Sequence, residues 1–237
     1  MAHQYESEVV IGEVVESEST LFTAQCIEVP APQSGRMIDP PPFGSFVKLI
    51  RESSQQDSVE RIRIDEPDPF AATSLPMPRL QPGLLLAIVT RSKMSMLDSS
   101  RRAVALGYES RDELMRRQPQ IAELTATEFS GLLIGHSDND GRLRLGIPPR
   151  PARLHDRVYS CTTDEIVPAT DRLSYLRRIL DGVSGPDSDE LCAAVVRTGW
   201  HARAQSPNYM RSAGTELAGA LLGDYGRLER IIQAVIG

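Results

Sequence analysis

Arginine supplies most of the side chains in this 237-residue chain that could bind another molecule, because the only lysines are Lys48 and Lys93. The guanidinium group is planar and donates parallel hydrogen bonds to phosphates and carboxylates. Four arginines lie close together in sequence, at Arg142, Arg144, Arg150 and Arg153. This spacing predicts a surface that contacts phosphate or nucleic acid, or alternatively a face that forms salt bridges within the protein or with a partner.

Two histidines, His136 and His155, lie near carboxylates that could complete a metal site, those of Asp138 and Asp156. Metal centres in proteins usually have three or four ligands, and two histidines from nearby loops do not meet that requirement alone. The run DNDG at 138–141 resembles the start of a calcium-binding loop, but Pro149 stands at the twelfth position, where such a loop has a glutamate. We therefore predict a turn at 138–141 and no metal ligand.

Nucleophilic chemistry has little support in the sequence. A reactive thiol needs a nearby base or cation, and Cys161 has only Arg157 or His155 near it in sequence. The acidic run at 187–190 could supply the metal-binding carboxylates of a nuclease, but it stands at a predicted helix start, where acidic groups are favourable. The chain contains no GxxxxGKS/T, HExxH or GxSxG motif and no GxGxxG after a strand. The sequence therefore predicts no catalytic residue and no cofactor.

The composition is that of an ordinary globular protein, with 41% hydrophobic and 24% charged residues. A net charge of −6 argues against a surface that binds nucleic acid throughout, although a local basic patch is compatible with it. The longest apolar run, LLLAIV at 84–89, is far shorter than the ~20 residues of a membrane span. The N-terminal sequence lacks the pattern of a signal peptide and the three cysteines are isolated, so we expect a cytoplasmic protein with reduced thiols.

The elements that must position these side chains are of two kinds. Up to residue 168 the apolar runs are short and are separated by Pro, Gly, Asp and Asn, a pattern typical of barrels and sandwiches. We expect the first two strands to form one hairpin and the DNDG turn to form another. The predicted strands are residues 7–16, 21–29, 45–52, 61–65, 84–91, 132–135, 143–145 and 157–161.

Helix signals occur once inside the barrel sequence and repeatedly after it. Ser110 and Glu113 form a capping box, which with Pro119 as a stop predicts a helix at 111–117. After residue 168 apolar residues recur at helical spacing, which predicts three or four short helices, the first starting at Thr170 or Asp171. The predicted fold class is α+β: a small antiparallel β-barrel at 1–168, with a helical insertion near 98–127, and a helical domain at 169–237.

Proline and glycine stand shortly before three of the predicted strands, in PPPFG at 40–44, LQPG at 80–83 and PPRP at 148–151. Proline cannot donate a hydrogen bond to a strand ladder, so it is tolerated at strand starts and corners. We interpret these stretches as barrel corners. The rim loop at 31–42 is the first place where we expect a partner to make contact.

Four segments follow one another in the first part of the chain: VIGEVVESESTLFTAQCIE at 10–28, PPPFGSFVKLI at 40–50, LQPGLLLAIVT at 80–90 and FSGLLIGHSDNDGRLRLGIPPRPARLHDRVYSCTTDEI at 129–166. Their order resembles the HAS-barrel, the small β-barrel at the N-termini of HerA-type DNA-translocating ATPases and of ATP synthase subunits. The resemblance covers about residues 7–168, and the helical tail stands where the family has its ATPase domain. It implies a non-catalytic module, because the barrel in that family mediates subunit contacts or the docking of a nuclease.

The sequence therefore predicts an interaction protein that docks through its barrel onto a ring ATPase or another DNA-processing assembly, or that self-assembles. One alternative is a nucleic-acid-binding protein that uses the arginine-rich face. Another is a metal-dependent nuclease or phosphoesterase, in which carboxylates and the pair His136 and His155 would converge from separate elements.

Overall fold

A computed structural model describes residues 9–27, 39–50, 80–98, 100, 102–182 and 187–237 of the chain. These residues form one β-sheet and seven helices. The strand predicted at 61–65 lies outside the described residues, and so does most of the rim loop predicted at 31–42.

Six of the seven described strands close into an antiparallel barrel. The strands follow one another in the sheet in the order β2-β1-β7-β3-β4-β5-β6, and β2 also pairs with β5, which closes the barrel and leaves β6 as a short extension beside β5. The predicted class, a small antiparallel barrel followed by helices, is confirmed. The strands are β1 (Val10–Ser17), β2 (Leu21–Cys26), β3 (Phe46–Ile50), β4 (Leu84–Met96), β5 (Thr125–Ser137), β6 (Leu143–Leu145) and β7 (Arg157–Ser160).

Both predicted hairpins are confirmed. In the first, β1 pairs with β2 from Gly12 opposite Cys26 to Ser17 opposite Phe22. In the second, β5 pairs with β6 across the turn that begins at Asp138. One oxygen of the Asp138 carboxylate accepts hydrogen bonds from the backbone N–H groups of Asp140 and Arg142, at 3.0 and 2.8 Å. That side chain therefore stabilises the turn in the way that aspartate commonly does.

Side chains from all six strands fill the inside of the barrel. Phe22 of β2 and Phe129 of β5 meet edge to face in this lumen, with ring centroids 6.4 Å apart. Gly131 makes room for them, because a Cβ atom there would lie 2.4 Å from the Phe22 ring. One buried lumen residue from each strand is Val14, Phe22, Val47, Leu85, Phe129 and Val158.

The strand β4 is buried on both of its faces over residues 84–89, which explains why its sequence is continuously apolar instead of alternating. Leu85, Ala87 and Val89 belong to the lumen cluster. Leu84, Leu86 and Ile88 belong to a second cluster, which contains helix residues such as Leu176, Leu191 and Val195. The helical tail therefore covers one outer side of the barrel and shares a core with it.

Two helices, α1 (Arg111–Arg117) and α2 (Gln120–Glu123), lie between β4 and β5. The predicted helix at 111–117 is confirmed, and Ser110 Oγ accepts a hydrogen bond from the Glu113 N–H at 3.1 Å. Among the helices of the described residues, none has the length and apolar character that crossing a membrane requires. The helices after the barrel are α3 (Thr163–Thr170), α4 (Leu176–Gly182), α5 (Asp187–His201), α6 (Pro207–Leu221) and α7 (Tyr225–Ile236).

The start predicted for the first tail helix is wrong. Thr170 is the last residue of α3, and α4 begins only at Leu176. The sequence carried a signal for α3, because Thr162 and Glu165 form a second capping box, with the Glu165 carboxylate accepting from the Thr162 N–H at 2.8 Å. Helix α3 extends across residue 168, and the division of the chain into two domains there stays a prediction.

Strands β4 and β5 are longer than predicted and continue together beyond the barrel as an arm (residues 94–98 and 102–127), whereas residues 128–130 of β5 still pair with β2. Within the arm the register runs from Met94 opposite Thr127 to Met96 opposite Thr125. The sequence signal was weak because serine and threonine are frequent in this part of both strands, so that no apolar run marks it. The helices α1 and α2 lie at the end of the arm, where the sequence placed a helical insertion.

The PPPFG stretch forms a tight turn that holds the barrel against α5. The Pro42 carbonyl accepts hydrogen bonds from the Ser45 N–H at 3.1 Å and from its hydroxyl at 2.6 Å. Gly44 has a φ of 76°, and a Cβ atom on it would lie 2.4 Å from the Cβ of Ala194 in α5. Glycine is therefore required at this position both by the backbone conformation and by the close approach of the helix.

Candidate functional site

One barrel end, where β1 finishes and β7 starts, is closed by residues 146–156, which we call the closing loop. Its first residue, Gly146, donates a backbone hydrogen bond to Ile134 of β5 at 2.8 Å. Further along, the Ala152 carbonyl accepts from Ser17 Oγ at 2.7 Å, and the His155 N–H donates to Val14 of β1 at 2.9 Å. Ala152 is buried in the lumen cluster. The loop is thus anchored to strands on two sides of the opening.

The outer side of the closing loop carries aliphatic and arginine side chains. Ile147 is 55% exposed and Leu154 is 59% exposed. Arg150 and Arg153, which lie between Ile147 and Leu154 in sequence, are also exposed. Val15, 43% exposed, follows the β1 residue to which the loop is hydrogen bonded. Exposed aliphatic residues on an anchored loop, interspersed with arginines, make the closing loop our candidate functional site.

The four arginines singled out from the sequence fall on two neighbouring segments. Arg142 and Arg144 lie at β6, and Arg144 Nε is 3.3 Å from Asp138 Oδ2. Arg150 and Arg153 lie on the closing loop, and the backbone N–H of Arg153 donates to Asp156 Oδ2 at 2.7 Å. The fold therefore keeps the arginines at one end of the barrel, and at least one of them forms an internal ion pair.

The residues considered for a metal site serve other purposes. His155 Nδ1 lies 2.6 Å from Glu13 Oε1 on β1, and His155 has a φ of 71°. Asp138 stabilises the hairpin turn, and Asp156 accepts from the backbone of the closing loop. Within the ranges that the structure describes, no three His, Cys, Asp or Glu side chains are grouped as a metal site requires. Metal-dependent hydrolysis therefore gains no support from these residues.

Two of the three thiols are poor nucleophiles in this fold. Burial raises the pKa of Cys26 to about 11. Burial, together with the nearby Asp189 carboxylate, raises the pKa of Cys192 to about 12. Both thiols are protonated at neutral pH, whereas the reactive species is the thiolate. Cys161 is half-buried, and its backbone N–H donates to Phe46 at 3.1 Å.

A buried ion pair that was not predicted from the sequence connects the barrel to the helices. Lys48 of β3 is 2% exposed, and its Nζ atom lies 2.6 Å from Glu165 Oε1 of α3. The other carboxylate oxygen of Glu165 caps the same helix at Thr162. A lysine inside an apolar strand was the available signal, because burying a charge is costly unless it is paired.

Arginines of the tail hold helix ends together. Arg203, which follows α5, donates to the Thr170 hydroxyl at 2.7 Å and to the Val167 carbonyl at 2.6 Å, and its guanidinium lies 4.4 Å from the Tyr209 ring centroid. Arg227 of α7 binds Asp189 of α5 at 2.6 Å. Asp189 belongs to the acidic run at 187–190, so this carboxylate has a structural partner. These contacts serve the packing of the helices.

A groove of about 520 Å³ lies between the start of α4 and α6. Its walls consist mainly of small side chains, three of which carry hydroxyl groups (Ser174, Ser212 and Thr215), and the charged side chains in it are those of Arg177 and Glu216. Arg177 also lies 3.7 Å from Asp181 one helical turn away. The lining contains no histidine or cysteine. Of its three hydroxyl groups, that of Thr215 donates to the Arg211 carbonyl at 3.0 Å.

No protein-family model matches the chain, and no curated protein matches it either. The likeness to HAS-barrels therefore rests on the sequence segments given above, and it stays a prediction. The closed six-stranded barrel is compatible with that likeness, but small barrels of similar size occur in unrelated proteins.

Proposed function

We propose that the protein is a non-catalytic docking module that binds a protein partner through its barrel. The partner belongs to a ring ATPase or another DNA-processing assembly. The proposal combines the arrangement of the barrel with the HAS-barrel resemblance, which supplies the class of partner.

The observation that carries the proposal is that side chains fill the inside of the barrel while helices cover part of its outside. Barrels that hold a small ligand keep part of their interior open, whereas Phe22, Phe129 and Leu133 are buried in this lumen. The outer faces of Phe46, Leu86 and Ile88 are covered by the helices. Within the barrel, recognition is therefore left to exposed loops and exposed strand surfaces, and such surfaces suit a macromolecular partner better than a small substrate.

The closing loop fits such a role because it is held in place before any partner arrives. Its anchors at Ile134, Ser17 and Val14 are hydrogen bonds to the barrel. A surface that is already ordered loses little conformational entropy when it binds. Exposed aliphatic residues such as Ile147 and Leu154 are the kind of contact that a protein interface buries.

The test is affinity purification of the full chain at its native expression level, with quantitative mass spectrometry and an unrelated bait of similar size as the control. We expect enrichment of a protein that contains an ATPase or nuclease domain. Recovery of the chain with no enriched partner contradicts the proposal.

The arginines favour one second candidate, binding to nucleic acid. Residues 141–157 contain five arginines and one acidic residue, Asp156, although the whole chain has a net charge of −6. Binding to phosphates would weaken steeply with added salt, because each contact releases counterions. The absence of binding to DNA or RNA at low salt contradicts this candidate.

A further inference from the structure

The segment 141–157, which contains the closing loop, carries a net charge opposite in sign to that of the chain as a whole. Five arginines and one acidic residue lie within residues 141–157, and Arg142, Arg144, Arg150, Arg153 and Arg157 are all exposed. The single acid, Asp156, accepts a hydrogen bond from the backbone within the loop. This concentration of positive charge complements a partner that carries carboxylates or phosphates.

The composition of the surface favours a protein over a nucleic acid. Residues 141–157 contain no Phe, Tyr or Trp, and the imidazole of His155, their one aromatic ring, lies 2.6 Å from the Glu13 carboxylate. Glu13 and Glu16 on the adjoining strand β1 are at least partly exposed, so the positive surface is short. A continuous phosphate backbone would have to pass these carboxylates, whereas a short acidic segment needs to reach only Arg150 and Arg153. Protein interfaces are instead enriched in arginine relative to lysine and have apolar centres, which corresponds to Ile147 and Leu154 among arginines.

We propose that the closing loop binds an acidic segment of a protein partner. The guanidinium groups of Arg150 and Arg153 pair with carboxylates of that segment, and the side chains of Ile147 and Leu154 contact its aliphatic residues. The inference rests on the proposed docking function, and it adds the surface and the chemistry of the partner.

The experiment measures binding of the full chain to labelled probes by fluorescence anisotropy. The first probe is a short peptide of glutamate and leucine residues. The second has glutamine in place of glutamate, the third has lysine in its place, and the fourth is a short DNA duplex. The test variant is R150E/R153E. The matched control is R172E/R211E. It reverses the charge of two exposed arginines in the helical tail and gives the chain the same net charge as R150E/R153E does.

We expect the glutamate peptide to bind more tightly than the other peptides and the DNA. Charge reversal in R150E/R153E is expected to weaken that binding at least about tenfold, since each lost pair contributes a modest amount and each new like-charge contact adds repulsion. The control variant is expected to bind as the unmodified chain does. If R150E/R153E unfolds, R150Q/R153Q replaces it, with a smaller expected loss.

Equal binding of the glutamate peptide by R150E/R153E and by the control overturns the inference, and so does a failure of the unmodified chain to bind that peptide. Preferential binding of DNA that is lost in R150E/R153E overturns it in favour of the nucleic-acid candidate. After any of these results, the proposed docking function is still supported if affinity purification recovers an ATPase or nuclease partner. Failure of that purification counts against the docking function alone.

Discussion

Gly44 illustrates how a single residue sets the contact between barrel and helices. Its backbone is left-handed, with a φ of 76°, and its α-carbon faces Ala194 so closely that a Cβ atom would clash at 2.4 Å. Gly107 offers a comparison, because it has a φ of 72° and nothing within 4 Å of its Cβ position. The two glycines share the conformational requirement, and only Gly44 has the steric one.

We therefore expect Gly107→Ala to cost about 1–2 kcal/mol at most, the penalty for a left-handed alanine. Gly44→Ala should cost about 1–3 kcal/mol more, because the helix backbone near Ala194 cannot move freely and overpacking adds that much. The double variant G44A/A194G should recover part of the difference. Urea unfolding of the full chain measures all three free energies, and equal losses for G44A and G107A would contradict the proposed contact.

The ion pair between Lys48 and Glu165 leads to a second prediction at this scale. Glu165→Gln should lower the free energy of unfolding by about 3 kcal/mol, because it weakens the compensation of a buried ammonium group. Replacing both partners in K48M/E165M should restore most of the loss, since apolar residues of similar volume can substitute for a buried pair. Glu216→Gln, at an exposed carboxylate of α6, is the matched control and should be neutral.

A loss in E165Q no larger than in the E216Q control would show that the pair contributes nothing. In K48M/E165Q, which keeps a glutamine able to cap the helix at Thr162, a loss equal to that in E165Q would show that an uncompensated ammonium group does not explain the effect.

At the scale of elements, the arm differs from the rest of the molecule in having little core of its own. Helices α1 and α2 contain no buried residue. Several of its apolar side chains are exposed, and they are Met94, Leu97, Val104, Leu106 and Leu124. The arm is therefore held together mainly by the backbone hydrogen bonds between β4 and β5. Its tip (residues 98–123) adds little to the stability of the fold.

Removal of the tip tests this conclusion. The backbone N–H of Leu97 donates to the carbonyl of Leu124 at 2.8 Å, so the two strands meet there. Replacing residues 98–123 with an Asn-Gly turn should leave the melting temperature within about 2–4 °C of the full chain. Calorimetry measures the change. Deletion of α7, which carries the buried Ile231 and Val235, is the contrasting variant and should destabilise strongly; a similar loss from both deletions would contradict the conclusion.

The sequence predicted helices and turns well where their signals lie within a few residues, and less well where tertiary contacts determine where an element starts or ends. The capping residues around 111–117 and the DNDG turn gave correct local structure, since both signals act over a few residues. The predicted start of the first tail helix was wrong because Arg203 and the shared core determine where α3 ends. The extension of the arm lacked an apolar pattern, since its stability comes from pairing between strands.

The candidate site was predictable only in part. The arginines at 142, 144, 150 and 153 are visible in the sequence, but the closing loop depends on hydrogen bonds to Ile134, Ser17 and Val14, which are distant along the chain. No short-range signal reports such contacts. For the same reason, the sequence suggested a pairing of His136 with His155, whereas His155 lies against Glu13.

For the whole molecule, the shared core has a thermodynamic consequence. Leu84, Leu86 and Ile88 of β4 pack with helix residues and not only with other strands. Barrel and helices should therefore unfold together in one cooperative transition. We expect native-state hydrogen exchange to give equal opening free energies for slow amides of β4 and of α5. A large subset of helix amides that opens at lower free energy would contradict a single cooperative unit.

The claim that the barrel docks onto a protein is tested most directly by photo-cross-linking in cells at native expression. A photoreactive amino acid is placed at Leu154 on the closing loop, and at Glu216 in α6 as the control. We predict a discrete adduct at Leu154 with a protein of an ATPase or nuclease assembly, and a much weaker one at Glu216. If neither position forms an adduct with a protein, or if the adduct contains only nucleic acid, the account is contradicted.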